Sequence, residues 1–406
     1  MTSSHEAPAN RWFSRGFVLL CATGFLTEAT YWIMTTTLQW QVTKLPGSGP
    51  AELGMLYFLQ LIPYLVITPF AGAVLDRFNR KLVMCLSIGG VSAVILAGAA
   101  FAHAGMLGFG VSAAIAMAVS CFKPFNDAGQ HSVLPSTVER AKLPRAVGIY
   151  AAHPNVARTI GPVIAGSLLI FTGAPFTLVI GALVAVAALL LISGYPRQQR
   201  VERAGGSSVL AQIGGGFVVM WKNPVVRRSI ALVALTGLLG LSSASMFSVI
   251  VVERFAGGEV EFSLLLAAAG VGAIVGALMP FPRVSEPRHV SILLGVAALG
   301  LLAIAIAPTF ALVAVGAFFV SAACNSSNQK LNALVQSELT DDVRGRVMSL
   351  YVWAWGGSLP LGGLVLGSAG AVIGVSWSIL VMAALLCAVA LFNMRRIPRY
   401  SSDIEA

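Results

Sequence analysis

Twelve apolar stretches of about twenty residues, parted by short polar breaks, constrain this 406-residue chain more than any other feature. The spacing predicts helices over 16–38, 52–75, 82–103, 106–134, 145–172, 175–195, 226–252, 261–282, 289–306, 309–336, 345–370 and 373–394. Each is long enough to cross the ~30 Å hydrocarbon core of a bilayer as an α-helix. None alternates apolar and polar residues as a barrel strand must, so the expected fold class is an all-α membrane protein with twelve transmembrane helices. Only 10% of the residues are charged, against 57% hydrophobic. A soluble domain carries about 25% charge, because something must face water. The solvent here is lipid.

The remaining composition narrows the class further. The 42 glycines suit helices that approach closely inside a membrane. The first apolar run is too long for a signal-peptide core and no cleavage site follows it, so a retained first helix is expected. Cys21, Cys85, Cys121, Cys324 and Cys387 all fall in apolar runs without ligand spacing, so neither a metal nor a cofactor is expected. The formal charge of +10 suggests nucleic acid only until its placement is examined. With the N-terminus inside, Lys44 and Arg254 fall in outer loops and Lys123, Arg158 and Lys330 within helices. All the other Lys and Arg, of 26, lie on the cytoplasmic side. Both termini are therefore expected in the cytoplasm of a bacterial-type inner membrane, with lipid rather than nucleic acid as the partner.

One long polar break, 196–225, divides the chain into an N-terminal bundle (1–195), a cytoplasmic linker and a C-terminal bundle (226–406). The halves repeat. A shift of 201 residues lays Arg145–Tyr150 over Arg346–Tyr351, Gly161 over Gly362, Gly166 over Gly367 and Ser167 over Ser368. Two pseudo-symmetric six-helix bundles with equivalent fifth helices are the pattern of parallel-repeat transporters.

The loop after the second helix, Gly72 to Lys81 with Asp76, Arg77 and Arg80, resembles the G-x-x-x-D-R-x-x-R-[KR] signature of the major facilitator superfamily. Gly161, Pro162 and Gly166 on the fifth helix are similar to the glycine–proline motif of that family's antiporters, although 156–160 lacks its usual further glycines. Trp221–Arg227 and Arg344–Tyr351 resemble the branch that holds the enterobactin exporter and macrolide efflux pumps. The resemblance implies alternating-access transport of a small organic molecule by a monomer. It also implies a latch on the cytoplasmic side, in which Arg80 meets Asp127 while Asp76 and Arg77 face the start of the eleventh helix near Arg346.

Ionisable residues inside the spans are the candidate site. Each costs about 2.5–3.5 kcal/mol at a lipid-facing mid-helix position, so Glu28, Lys123, Asp127, Arg158 and Lys330 are expected to point inward. Gly24, Glu28, Tyr31 and Thr35 share a helical face flanked by Trp32, which sets a carboxyl beside aromatic surface. Glu28 is the expected proton-coupling residue; the alternative is an acid hydrogen-bonded to a neighbouring helix for structure. Lys123 and Asp127, four residues apart, can pair locally. Arg158, always charged, can take an anionic substrate or pair with an acid. Asn328 and Lys330 end a polar run that reads as a wetted wall, with interhelical hydrogen bonding as the plainer alternative. The expected cavity is lined by Tyr31, Trp32, Lys123, Arg158, Asn328 and Lys330.

No H-E-x-x-H, G-x-S-x-G or phosphate-loop motif is present, which favours secondary transport over a membrane enzyme or an ATP-driven pump. A receptor or channel fits the helix count but not the repeat. Three intramembrane cations against two acids lean toward proton-coupled export of a siderophore or similar polar metabolite. Multidrug or macrolide efflux and lysophospholipid flipping are the alternatives.

Overall fold

The computed structural model describes residues 14–193, 195, 217–279 and 287–395. Among them there are helices and no strands. The spans are α1 (Arg15–Thr43), α2 (Pro50–Arg77), α3 (Arg80–His103) and α4 (Phe109–Val133), then a helical stretch His153–Ser193 interrupted at Gly173. At ~1.5 Å per residue that stretch is about twice the membrane thickness, so it makes two crossings, α5 (153–172) and α6 (174–193). The second set is α7 (Pro224–Phe255), α8 (Glu259–Leu278), α9 (Pro287–Ile306), α10 (Phe310–Ser337), α11 (Asp341–Ile373) and α12 (Val375–Arg395).

The 201-residue repeat is written into the backbone. Helices α4 and α10 begin at Phe109 and Phe310. Gly173 (φ 69°) and Gly374 (φ 85°) make the turns before α6 and α12, a left-handed conformation that glycine alone adopts without steric cost. A Cβ on Gly161 would stand 2.6 Å from Cβ of Trp32 on α1; one on Gly362 would stand 2.4 Å from the Leu238 carbonyl oxygen on α7. The same two helices then cross to the other half. Gly166 of α5 meets Ser263 of α8, and Gly367 of α11 meets Gly54 of α2. These small residues let helix backbones close on each other without the side chains that would hold them apart.

Within the first half α1 and α3 pack on the α5–α6 unit and α2 on α4; within the second, α10 packs on α8 and α9, and α9 on α12. The halves meet along α2–α11 and α5–α8. Among the described residues the close contacts between the halves gather at one end. Trp40 of α1 donates its indole N–H to Glu259 (2.9 Å) and stacks on Phe262 (5.6 Å), Lys44 pairs with Glu259, and Thr43 donates to Ser248 (2.8 Å). Along α2 the contact runs from Pro50 to Leu65, whose carbonyl accepts from Trp353 (3.3 Å). Seven residues further on, Gly72 has nothing within 4 Å of its Cβ position, and Asp76 and Arg77 are exposed. Among the described residues, the halves are closed at the Lys44–Glu259 face and parted at the face bearing Arg77 and Arg80.

Three local features depart from the expected helices. The fifth helix does not run unbroken from 145: a short helix, Leu143–Tyr150, ends before His153, and Pro154 then sits where a helix start tolerates a missing N–H. Helix α7 is not regular, passing through a π-turn (Thr236–Gly240) and a 3₁₀ segment (Leu241–Met246). There Thr236, Ser242, Ser243 and Ser245 donate back to carbonyls three or four residues earlier, competing with the backbone ladder. Of the expected linker 196–225, residues 196–216 lie outside the described residues, 217–222 are helical and Pro224 already opens α7.

Candidate functional site

An ion cluster lies between α1, α2 and α4. Lys123 of α4 reaches two carboxylates at once, Glu28 of α1 and Asp127 one turn along its own helix (2.7 Å). Tyr64 of α2 donates its hydroxyl to the same Asp127 oxygen (3.1 Å). The ammonium stands 5.3 Å from the ring centre of Tyr31 and 5.6 Å from that of Tyr64, so its desolvated faces meet aromatic quadrupoles. Gln60 fixes the wall, donating to the Tyr31 hydroxyl (2.9 Å) and to Thr35 (2.6 Å). The three charged side chains keep between 14% and 19% of their surface exposed. The cluster is thus mostly enclosed by its neighbouring helices, with a small part of each charged group left accessible.

Two acids on one lysine leave one excess negative charge when all three are ionised. A proton on either carboxyl removes it. Lys123 then has one anion to hold instead of two; a proton on Glu28 weakens the tie between α1 and α4, whereas a proton on Asp127 leaves that tie in place. The local pair of Lys123 with Asp127 is present, and Glu28 takes its cation from Lys123 rather than from Arg158.

Behind the cluster a small cavity is lined by Thr27, Thr30, Ser87, Asn126 and apolar residues of α3 and α6. Gln130 donates to Thr27 (3.3 Å) and accepts from the Tyr150 hydroxyl (2.7 Å), continuing the polar seam toward the parted face. In the second half Tyr351, the counterpart of Tyr150, donates to the Asn328 carbonyl (2.7 Å) and to its side chain. Asn328 is therefore a structural acceptor, and it does not line the cavity described above. Lys330 is buried on α10.

Arg158 lies on α5 with its guanidinium 5.3 Å from the ring centre of Trp32. Gly161, one turn later, seats that helix against the same residue. Gly161 and Gly166 thus serve two contacts, α1 within the half and α8 across it, and Pro162 between them is buried.

The latch residues are not assembled in this conformation. Asp127 is held by Lys123 and Tyr64, so the expected Asp127–Arg80 contact is absent, because the acid spends its charge inside the bundle. Asp76, Arg77 and Arg80 form no ion pair among the described residues, and Arg346 lies half-buried at the start of α11. The neighbouring Lys81 has a definite place: it donates to the carbonyls of Ser193 and Tyr195 (2.6 Å), capping the end of α6 where a cation is favoured.

Tyr57, Gln60 and Tyr64, together with the Trp40–Glu259 closure, are the residues that sequence reasoning passed over. The first three recur at three- and four-residue steps on one face of α2, a polar stripe in an otherwise apolar helix. Trp40 and Glu259 carry no such signal, being 219 residues apart.

The comparisons agree with this architecture. The chain is 27% identical over 394 residues to the multidrug efflux pump Tap of Mycobacterium tuberculosis, covering 90% of this chain and 88% of that protein. It is 23% identical over 364 residues to the staphyloferrin A transporter of Staphylococcus aureus, covering 87% and 89%. Among solved structures it resembles a bacterial homologue of the human lysosomal transporter Spinster, with a TM-score of 0.76, 15% identity and coverage of 95% and 97%. The profile of the transmembrane secretion effectors, a family of the major facilitator superfamily, matches residues 10–406, and the chain belongs to that family of multi-pass membrane transporters.

Proposed function

We propose that this protein is a proton-coupled exporter working by alternating access, with Glu28, Lys123 and Asp127 as the coupling group. The observation that carries the proposal is one lysine bridging two carboxylates from different helices within the membrane. The parted face, rich in Arg and Lys, is the cytoplasmic one in this assignment, with both termini beside it in a bacterial inner membrane. The two six-helix bundles move as bodies about the α2–α11 and α5–α8 seams. The Lys44–Glu259 face opens as Asp76, Arg77 and Arg80 approach α11 near Arg346. One chain supplies both halves, so a monomer suffices.

A siderophore or similar polar metabolite is the cargo we favour, in keeping with the staphyloferrin A transporter among the relatives. The likeness to Tap favours a second reading, multidrug efflux. The coupling test is common to both. Glu28→Gln keeps shape and hydrogen-bonding capacity but cannot ionise, so it imitates the protonated state. In everted vesicles it is expected to lose export driven by an imposed pH difference while retaining downhill exchange. Normal pH-driven export by this variant would remove Glu28 from the mechanism and leave Asp127 as the coupling acid.

A further inference from the structure

We propose that Arg158, Trp32 and Tyr57 form an oxyanion-binding site, and that the exported molecule is therefore an organic carboxylate. The inference rests on the exporter reading and names the substrate class of its cavity. A structural arginine would be paired with an acid or would cap carbonyls, as Arg254 at the end of α7 does with the carbonyls of Ile304 (2.5 Å) and Ala307. Arg158 does neither: among the described residues its one close polar or ring partner is the Trp32 face. The nearest acid in sequence terms, Glu28 one helical turn from Trp32, is already held by Lys123, as is Asp127. The guanidinium is half-buried and keeps its fork of donors for a ligand.

A second donor is offered by α2. Tyr57 lies on the helix face that carries Gln60 and Tyr64, its ring reaches Gly363 of α11, and its hydroxyl makes no hydrogen bond among the described residues. Two unspent donors and an indole face match a carboxylate, which takes a bidentate hydrogen bond from arginine and has lone pairs left for a hydroxyl. The Trp32 ring adds an apolar wall for the carbon skeleton next to that group. The place also explains how occupancy is sensed. The Tyr57 ring packs on Gly363 of α11, 2.5 Å from where a Cβ would lie, so a ligand drawing on Tyr57 acts at the seam between the halves.

The test is calorimetric titration of the purified full chain with salicylate, an aromatic carboxylate, and with its neutral counterpart salicylamide. Saturable heat is expected from salicylate alone. Arg158→Gln should weaken it by about ten-fold or more, Arg158→Lys by less, and Tyr57→Phe by roughly two- to five-fold, as for loss of charged and neutral hydrogen bonds. Thermal unfolding of each variant reports that it is folded. Absence of saturable salicylate binding, equal binding of salicylamide, or undiminished affinity in Arg158→Gln would overturn the assignment. No pH gradient enters this assay, so its failure leaves proton coupling standing, whereas normal pH-driven export by Glu28→Gln would remove the coupling and leave the anion site.

Discussion

Helices α4 and α10 start at equivalent residues, Phe109 and Phe310, yet the positions that carry Lys123 and Asp127 on the first carry Cys324 and Asn328 on the second. On α5 and α11 the contrast repeats, with Leu359 opposite Arg158. What the copies share is what the backbone demands: the close approaches at Gly161 and Gly362, the crossings at Gly166 and Gly367, the turns at Gly173 and Gly374. At these positions the charge is confined to one half. The separation has a mechanical consequence. Of the ion pairs among the described residues, Lys44–Glu259 at the closed face is the one that joins the halves. In the proposed rocking motion this largely exposed pair would part, at less cost than the several kcal/mol of a buried salt bridge.

The sharpest break of this comparison is to delete the cation. Lys123→Ala leaves two carboxylates facing each other and should destabilise the protein by roughly 3–5 kcal/mol, the usual cost of orphaning a buried pair. Cys324→Ala at the matching position of α10 removes only a small buried group and should cost about 1 kcal/mol. Thermal unfolding in detergent measures both. The Lys123→Ala deficit should shrink as pH falls, because a protonated carboxyl no longer needs a cation, while the Cys324→Ala deficit should not move. Equal, pH-independent deficits would mean that the cluster carries no special charge balance.

Symmetry of the scaffold is tested by paired glycines. Gly166→Val and Gly367→Val each place a branched side chain where even a Cβ would overlap the facing helix, Ser263 Oγ at 1.8 Å and the Pro50 carbonyl oxygen at 2.4 Å. Each should cost about 1–3 kcal/mol as overpacking and block closure of the Lys44–Glu259 face. Cysteine labelling from that face should rise in both. A variant that labels like the native chain would show that its seam is not needed for closure.

A smaller effect is expected at the parted face. Asp76→Asn and Arg80→Ala should leave insertion and stability within about 0.5 kcal/mol of native, since neither makes an ion pair among the described residues. Transport should nevertheless fall, with cysteines at the cytoplasmic side labelled more readily. Native transport rates in both would deprive the signature loop of its gating role.

The smallest effect belongs to Lys44→Gln. Lys44 is 51% exposed, so its pair with Glu259 is weak, under about 1 kcal/mol. Trp40→Ala, which removes a buried indole together with its hydrogen bond and its stack on Phe262, should open the same face far more. Accessibility of a cysteine placed at Thr43 separates the two; a larger effect of Lys44→Gln would reverse the ranking of charge and packing in that closure.

The sequence by itself determined the solvent, the number of crossings and the repeat, because each is a property of runs and spacings along the chain. Apolar length reports the membrane, and the 201-residue register reports two copies, whereas the matching turns at Gly173 and Gly374, the second inside the expected helix 373–394, came from the structure. It also marked the charged residues that had to turn inward, since lipid penalises each one separately. Only the tertiary structure decided their partners. Glu28 and Lys123 are 95 residues apart, and nothing in the sequence ranks Lys123 above Arg158 as the cation for that acid. The choice is made by which helix faces meet: α4 lies against α1 and α2 and delivers Lys123, while α5 packs through Gly161 and presents Arg158 to Trp32. Conformation was equally beyond reach, because helical periodicity says nothing of which face of the bundle is closed.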